Sequence, residues 1–468
     1  MNIRKTICIA VAIALTGCST VSPMLKPDVA APVAWNESAA ANASAVSATW
    51  WSSFGSAELQ QLVEQALKGS PDLAIATERV RQAEAQVRVA GASLFPTLDL
   101  GVGTSTRSTS DNRGSATTNA SSASLSASYE LDVWGRNRAG VRAAQSSLQA
   151  TAYDRDTARL TLISGVATGY FQVLSLRSRL AVGRDNLAIA EHVRDLVSAR
   201  VRNGANSQLD LSRQEATVLS QRAALMPLEQ QERQTLAALA VLTGRVPEGF
   251  DVKATGVADL LVPEVSPGLP ADLLVRRPDL ASAEAQLAAS NADLAAARAA
   301  LLPSIQLTGS AGTASAALLS FAGGGSTTAV SLALSVLQPI FDGGRLRGQK
   351  AIAESREREL VEVYRKAILA AFADVESALV AASRQVQQET LQSQVQTQAR
   401  EALRLAEIRY REGADDLLTV LDAQRTLFNA QDQLAQIRLN RLEAAVSLYK
   451  ALGGGWDASS SQVARAGQ

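Results

Sequence analysis

Four short segments alternate apolar residues with small polar ones. In residues 97–104, Leu98, Leu100 and Val102 alternate with Asp99, Gly101 and Gly103. In 124–134, Leu125, Ala127, Tyr129, Leu131 and Val133 alternate with Ser124, Ser126, Ser128, Glu130 and Asp132. The pattern returns at Ile305 and Leu307 against Gln306 and Thr308, and at Val330, Leu332, Leu334 and Val336 against Ser331, Ala333 and Ser335. A period of two predicts strands with one apolar and one small polar face, at about 97–108, 121–134, 304–314 and 327–340. A half-buried soluble sheet carries the same alternation. The polar stretches Arg107 to Ser121 and Gly312 to Thr327, the latter with Gly323-Gly324-Gly325, read instead as the long outer loops of a membrane barrel. Four strands cannot close such a barrel, which begins at about eight, and lipid does not tolerate open edges. Several chains would have to share it, and three would supply twelve strands.

Between the strand pairs the period changes to that of helices. Long stretches run from about Gly135 to Arg202 and from about Gly344 to Arg411. Each would extend roughly 100 Å at 1.5 Å per residue, too long to be covered by a globular core, so it must pack laterally as in a coiled coil. Asn203-Gly204 and Glu412-Gly413 supply stop signals. Return helices follow at about Gln208–Leu242 and Asp416–Leu452, and Pro227 is expected to kink the first. Leu403, Ile408 and Tyr410 are expected to face Leu417, Val420 and Leu421 across an antiparallel hairpin.

The chain repeats itself. Ser70-Pro71-Asp72-Leu73 returns as Arg277-Pro278-Asp279-Leu280, Leu94-Phe95-Pro96 as Leu301-Leu302-Pro303, and Val133-Trp134 as Ile340-Phe341, all offset by 207. Beyond that, Arg200 to Ala205 matches Arg409 to Ala414, and Thr243-Gly244 matches Leu452-Gly453, offset by 209. A nearly constant offset marks a duplicated unit. The expected organisation is residues 1–17 as signal peptide, 18–49 as tether, 50–245 as first repeat and 246–269 as a Pro/Gly-rich connector. Residues 270–454 form the second repeat and 455–468 a tail. The fold class is mainly α with a small membrane β-barrel contribution: four strands and long helical hairpins per chain.

Composition narrows the chemistry. Formal net charge is zero, so no basic surface argues for nucleic acid. The two cysteines, Cys8 and Cys18, lie in the first 18 residues, which leaves the body without a thiol for disulfides, metal or nucleophilic attack. His192 is the only histidine, in a polar helical stretch. No phosphate loop, metal cluster or nucleophile–base pair is found, so no enzyme and no cofactor are expected. Arg4 and Lys5, the apolar Ile7 to Ala14, and Leu15-Thr16-Gly17-Cys18 have the layout of a secretory signal. The last four residues look like a bacterial lipobox, which implies that Cys18 carries a covalent lipid; Ser19, where inner-membrane lipoproteins have Asp, implies the outer membrane.

This layout resembles the TolC/OprM outer-membrane efflux channels, especially the lipoprotein branch. The resemblance rests on Trp51-Ser52-Ser53-Phe54, Ser70 to Leu73, Phe95-Pro96 and Glu130-Leu131-Asp132-Val133-Trp134-Gly135-Arg136. In the second repeat it rests on Arg276 to Leu280, Leu302-Pro303, Gln338-Pro339-Ile340-Phe341-Asp342-Gly343-Gly344-Arg345 and Arg409 to Ala414. It implies a homotrimer with a 12-strand barrel and a 12-helix periplasmic α-barrel. The implied partners are a periplasmic adaptor and an inner-membrane proton-driven pump, with passive conduction of small molecules such as drugs. The family also implies a periplasmic gate at the hairpin tips. Asp415 and Asp416, with Asp210 as a weaker candidate, would bring like charges near an axis, and Arg409 and Tyr410 are placed to latch the closed tip. The same aspartates also suit helix N-caps. Asn203, Gly204, Glu412 and Gly413 mark the expected adaptor-docking tips. Two rival readings are a conduit for polypeptide secretion and a lipid-anchored periplasmic coiled-coil adaptor or spacer; the second leaves four amphipathic strands unexplained.

Overall fold

The computed structural model describes residues 23–37, 46–111, 114–316 and 326–456. The expected signal peptide, the acylation site Cys18, the tip of the second strand pair with Gly323-Gly324-Gly325, and nearly all of the tail lie outside the described residues. The elements are a 3-10 turn at Trp50–Phe54, α1 (Ala57–Gly69), α2 (Pro71–Ala92), β1 (Thr97–Asp111), β2 (Gly114–Glu130), α3 (Arg136–Arg202) and α4 (Gln208–Leu242). The order then repeats: a 3-10 turn at Pro270–Asp272, α5 (Leu273–Arg276), α6 (Pro278–Ala299), β3 (Ser304–Ser315), β4 (Ser326–Leu337), α7 (Arg345–Arg411) and α8 (Leu417–Ala451). Both long helices have 67 residues and both return helices 35. The two extra residues of the second repeat fall between strand and long helix, where residues 131–135 correspond to 338–344. The helix α4 continues through Pro227.

The chain divides into two compact units. One contains all four strands, in a single antiparallel sheet of order β1-β2-β3-β4. Its central pair, β2 with β3, joins the two repeats, and β1 and β4 are left as edges. The register aligns the apolar positions across all four strands: Leu98, Ala127, Gly309 and Leu332 in one row, Leu100, Leu125, Ala311 and Val330 in the next. Tyr129, Leu307 and Leu334 continue the face, and Ile305 with Val336 ends it. The band from the Val102 row to the Val336 row spans about 21 Å for strands tilted by about 40°, close to the roughly 25 Å expected of an outer-membrane barrel. This face is open: Leu100 is 73% exposed, Leu332 78% and Val330 80%. The opposite face carries rows of small residues, such as Asp99, Ser126, Ser310 and Ser331.

Three strand expectations change, one of them β4, which ends at Leu337 and not at about 340. Apart from residues 112–113, which lie outside the described ones, the stretch Arg107 to Ser121 is strand and not loop, because pairing runs from Thr104↔Ser121 up to Asp111↔Gly114; likewise Gly312 to Ser315, expected in the second loop, pair with Ala329 to Ser326. Above Val102 the paired positions are mostly Ser and Thr with no large apolar residue, so backbone pairing persists where the apolar alternation has stopped. At the other end β2 stops at Glu130, and Leu131 and Val133 leave the strand. Trp134 there donates from its indole N–H to the Pro303 carbonyl at 2.7 Å. Phe95 and Phe341, 70% and 91% exposed, stand at this same end of the sheet, where barrels carry interfacial aromatic residues.

The second unit holds the hairpin ends of the long helices, the return helices, α1 and the connector. Its core is aromatic: Trp50 stacks on Tyr449 with centroids 4.9 Å apart, and Phe54 meets Phe171 at 4.9 Å. Arg177 ties the connector to α3 and α4, donating to Glu232 at 2.7 Å, to the Ala254 carbonyl at 2.8 Å and to Asp251 at 2.5 Å. The segment at Trp35 lies on this unit, with its indole N–H donating to the Gly268 carbonyl at 3.0 Å.

Duplication is visible in single contacts. Gly244, with φ 72°, closes α4 against the Gly69 backbone, and Gly453, with φ 83°, closes α8 against the Arg276 backbone. Each lies at the foot of a proline-initiated helix, and a Cβ at either would overlap backbone.

Candidate functional site: the hairpin turns and the sheet

Both hairpin turns are built alike. The helix α3 ends at Arg202, and Gly204 takes φ 67° so that its N–H reaches the Val201 carbonyl while Ala205 N–H reaches Arg200. At the second turn Gly413, with φ 76°, donates to Tyr410, and Ala414 donates to Arg409. These paired bonds form the Schellman motif that satisfies the last carbonyls of a helix. Asn203, Gly204, Glu412 and Gly413 are exposed at the turns.

The acidic residues have defined local partners. Ser207 caps α4, and Asp210 returns a bond to the Ser207 N–H at 3.1 Å, completing a capping box. Those backbone and side-chain bonds hold the Asp210 carboxyl below its ordinary value. In the second repeat Asp416 is the N-cap of α8, accepting from the Thr419 N–H at 3.1 Å and from its hydroxyl at 3.0 Å. The acid thus moves from the third helical position in one repeat to the cap in the other, serving the same positive helix end. Asp415 pairs with Arg409 at 2.6 Å, which lowers the carboxyl and raises the guanidinium.

Tyr410 is buried, and the residue that reaches it comes from the other hairpin. Arg200 donates to the Tyr410 carbonyl at 2.6 Å, with its guanidinium carbon 4.8 Å from the ring centroid. Burial raises the Tyr410 phenol. Arg409 and Tyr410, the two expected latch residues, engage different partners: Arg409 pairs with Asp415 within its own turn, and Tyr410 meets Arg200, which sequence reasoning had not singled out. The 209 offset had paired Arg200 with Arg409, and this was the available signal for it. Around this contact Val193, Val197, Leu403, Ala406, Leu417 and Val420 form a buried cluster. Leu421 packs against it, whereas Ile408 is 41% exposed. At 100° per residue Ile408 lies about 140° around the helix from Leu403, while Tyr410 lies within about 20° of it.

The sheet is the other candidate surface: an exposed apolar band on one face, a Ser/Thr/Gly face behind it, and two strand edges without strand partners among the described residues. No helix among the described residues is long and apolar enough to cross a membrane. Among the described residues there is no group of His, Cys, Asp and Glu suited to a metal ion.

Comparison with known proteins agrees with this architecture. The family model described as outer membrane efflux protein matches residues 62–245 and 269–454. The chain is 43% identical to the pyoverdine export outer membrane protein OpmQ of Pseudomonas aeruginosa, over 99% of this chain and all of that protein. It is 35% identical to the toluene efflux pump outer membrane protein TtgF of Pseudomonas putida, over 97% of each. Among solved structures, the Campylobacter jejuni CmeC outer membrane channel superposes with TM-score 0.86 at 25% identity, over 96% of this chain and 98% of that one. The open state of the Neisseria gonorrhoeae MtrE channel gives 0.83 at 30% identity, over 94% and 98%. An exposed apolar sheet, duplicated long hairpins and full-length similarity converge: the chain belongs to the outer membrane efflux protein family, as an efflux channel protein of the bacterial outer membrane that extends into the periplasm and works within pump systems.

Proposed function

We propose that three copies of the chain form one continuous conduit, with twelve strands closing a barrel in the outer membrane and twelve helical columns forming its periplasmic extension. The observation that carries this is the sheet: four strands with an apolar face and, among the described residues, unpaired β1 and β4 edges, a form that lipid excludes unless the edges are completed. The small polar face then lines a water-filled lumen. Cys18 carries the lipid that holds the N-terminus at the membrane. The conduit is passive and not an enzyme; it receives small molecules from an inner-membrane proton-driven pump through a periplasmic adaptor docked at the turns around Asn203-Gly204 and Glu412-Gly413. The hairpin turns form the resting gate, held by the Arg200–Tyr410 and Arg409–Asp415 contacts. The native mass of the detergent-extracted outer-membrane protein tests this reading: a trimer is expected, and a stable monomer would remove the shared barrel.

Pyoverdine is the cargo to test first. The two pyoverdine export relatives are 42% and 43% identical to this chain, whereas the toluene efflux relatives TtgF and TtgC are 35% and 34% identical. Expression of this chain in a strain lacking OpmQ is expected to restore pyoverdine in the medium.

A further inference from the structure

The polar face of the sheet is almost free of charge. Through the four rows that run upward from Thr97 to Gly103, every position is Ser, Thr, Gly or Ala except Asp99. Asp99 shares its row with Ser126, Ser310 and Ser331. Its chain neighbours Leu98 and Leu100, 68% and 73% exposed, point to the opposite, apolar face. Asp99 therefore stands at the height of the apolar band but on the side away from lipid, where a carboxylate keeps its hydration. Other charges on this face are remote or engaged. Glu130, four residues down β2 from Ser126, pairs with Arg136 at 3.2 Å. Arg107 lies eight residues up β1, about 27 Å away at 3.4 Å per residue. Among the described residues Asp99 has no ion pair, and the nearby Ser126 hydroxyl donates to its backbone carbonyl at 3.4 Å, not to its carboxylate.

We infer that Asp99 sets the charge preference of the membrane-spanning part of the conduit, favouring cationic and zwitterionic solutes over anions independently of the periplasmic turns. A 12-strand barrel with strands tilted by about 40° has a backbone radius of about 12 Å. A carboxylate reaching about 3–4 Å inward lies about 8–9 Å from the axis. That is about one screening length at physiological salt and well inside the roughly 30 Å screening length at 0.01 M. Three such carboxylates in one ring leave no part of the cross-section outside their field at low salt. The inference rests on the polar face being the lumen.

The test uses the full-length protein in lipid vesicles with Ser126→Cys, a thiol one strand from Asp99. Charged thiosulfonate reagents enter from the outer mouth, so the state of the periplasmic turns does not matter. With Asp99 present, the cationic reagent is expected to react faster than the anionic one at 0.01 M salt. Adding Asp99→Asn is expected to lower that rate ratio about three- to tenfold, with the difference shrinking at 0.5 M salt. A neutral thiosulfonate controls for access and is expected to react equally in both. A rate ratio that changes less than twofold on Asp99→Asn would overturn the inference while leaving the barrel intact. A thiol that no reagent reaches would show that the face is not a lumen, and would overturn the conduit with it.

Discussion

At the residue scale, the duplicated glycines separate two causes of conservation in form. Gly244 and Gly453 need both a left-handed backbone and the absence of a Cβ, because the Gly69 and Arg276 backbones press against them. Gly204 and Gly413 need only the backbone conformation, since nothing lies within 4 Å of a Cβ there. Alanine at either turn glycine is expected to cost about 1 kcal/mol. Alanine at Gly244 or Gly453 is expected to cost more, with the overlap added, measured as a lower midpoint of denaturant unfolding. A second residue-scale prediction concerns Arg277, which donates to Asp279 at 2.7 Å and 3.0 Å and to Asp374 at 3.1 Å. Burial would raise the Asp279 carboxyl, but the hydrogen bonds and charge of Arg277 outweigh it and hold the group below its ordinary value. A depressed carboxyl stabilises the fold above its unfolded pKa, and that stabilisation is lost as pH falls through the lower folded value. Arg277→Gln is expected to cost about 1–2 kcal/mol at pH 7, after allowance for solvent around the half-exposed Asp279. Unfolding measured across pH should find this difference fading below about pH 4.

At the element scale, the sheet distinguishes pairing from burial. Leu332 is in the apolar band and 78% exposed, and its chain neighbour Ser331 is on the polar face. Leu332→Arg is expected to destabilise insertion by about 2–4 kcal/mol, as a charge on a lipid face does near mid-membrane. Ser331→Arg should insert normally, and folding into lipid vesicles compares the two. Equal effects at both positions would mean that the apolar face does not meet lipid. The extended β1–β2 hairpin carries a related lesson. Its residues beyond Ser108 on β1 and before Ser121 on β2 were legible as polar but not as strand, because alternation records which face meets an apolar medium. Hydrogen bonding between backbones leaves no such mark where both faces meet water. The early end of β2 has a similar origin: Leu131 and Val133 keep the alternating pattern, but the backbone turns away after Glu130 to enter α3.

On the scale of the whole molecule, the duplication makes two hairpins from one plan while giving their turns different chemistry. Arg200 crosses to Tyr410, whereas its counterpart Arg409 stays within its own turn on Asp415. Arg200→Gln removes the cross-hairpin contact and leaves the Schellman turn intact; larger or more frequent conductance steps in planar bilayers are expected. The caps allow a sharper test of the acids. Asp416→Ala removes both charge and cap and is expected to loosen the start of α8 by about 1 kcal/mol. Asp416→Ser keeps a capping oxygen and removes only the charge. Altered cation selectivity in Asp416→Ser assigns the effect to charge at the hairpin turn; a change confined to Asp416→Ala assigns it to the cap.

The sequence by itself determined the plan: the 207 and 209 offsets, proline-started and glycine-stopped helices, and four strands with one apolar face. These are local signals, written in periodicity and in the backbone demands of Pro and Gly, so they survive without any knowledge of neighbours. Tertiary structure alone decided which elements meet. It paired β2 with β3 across the repeats and placed the two extra residues between β4 and α7. It turned Ile408 outward and brought Arg200 to Tyr410 across the hairpins. Such choices depend on helix phase and strand register between segments far apart in the chain, where a rotation of one residue changes the partner without changing the pattern.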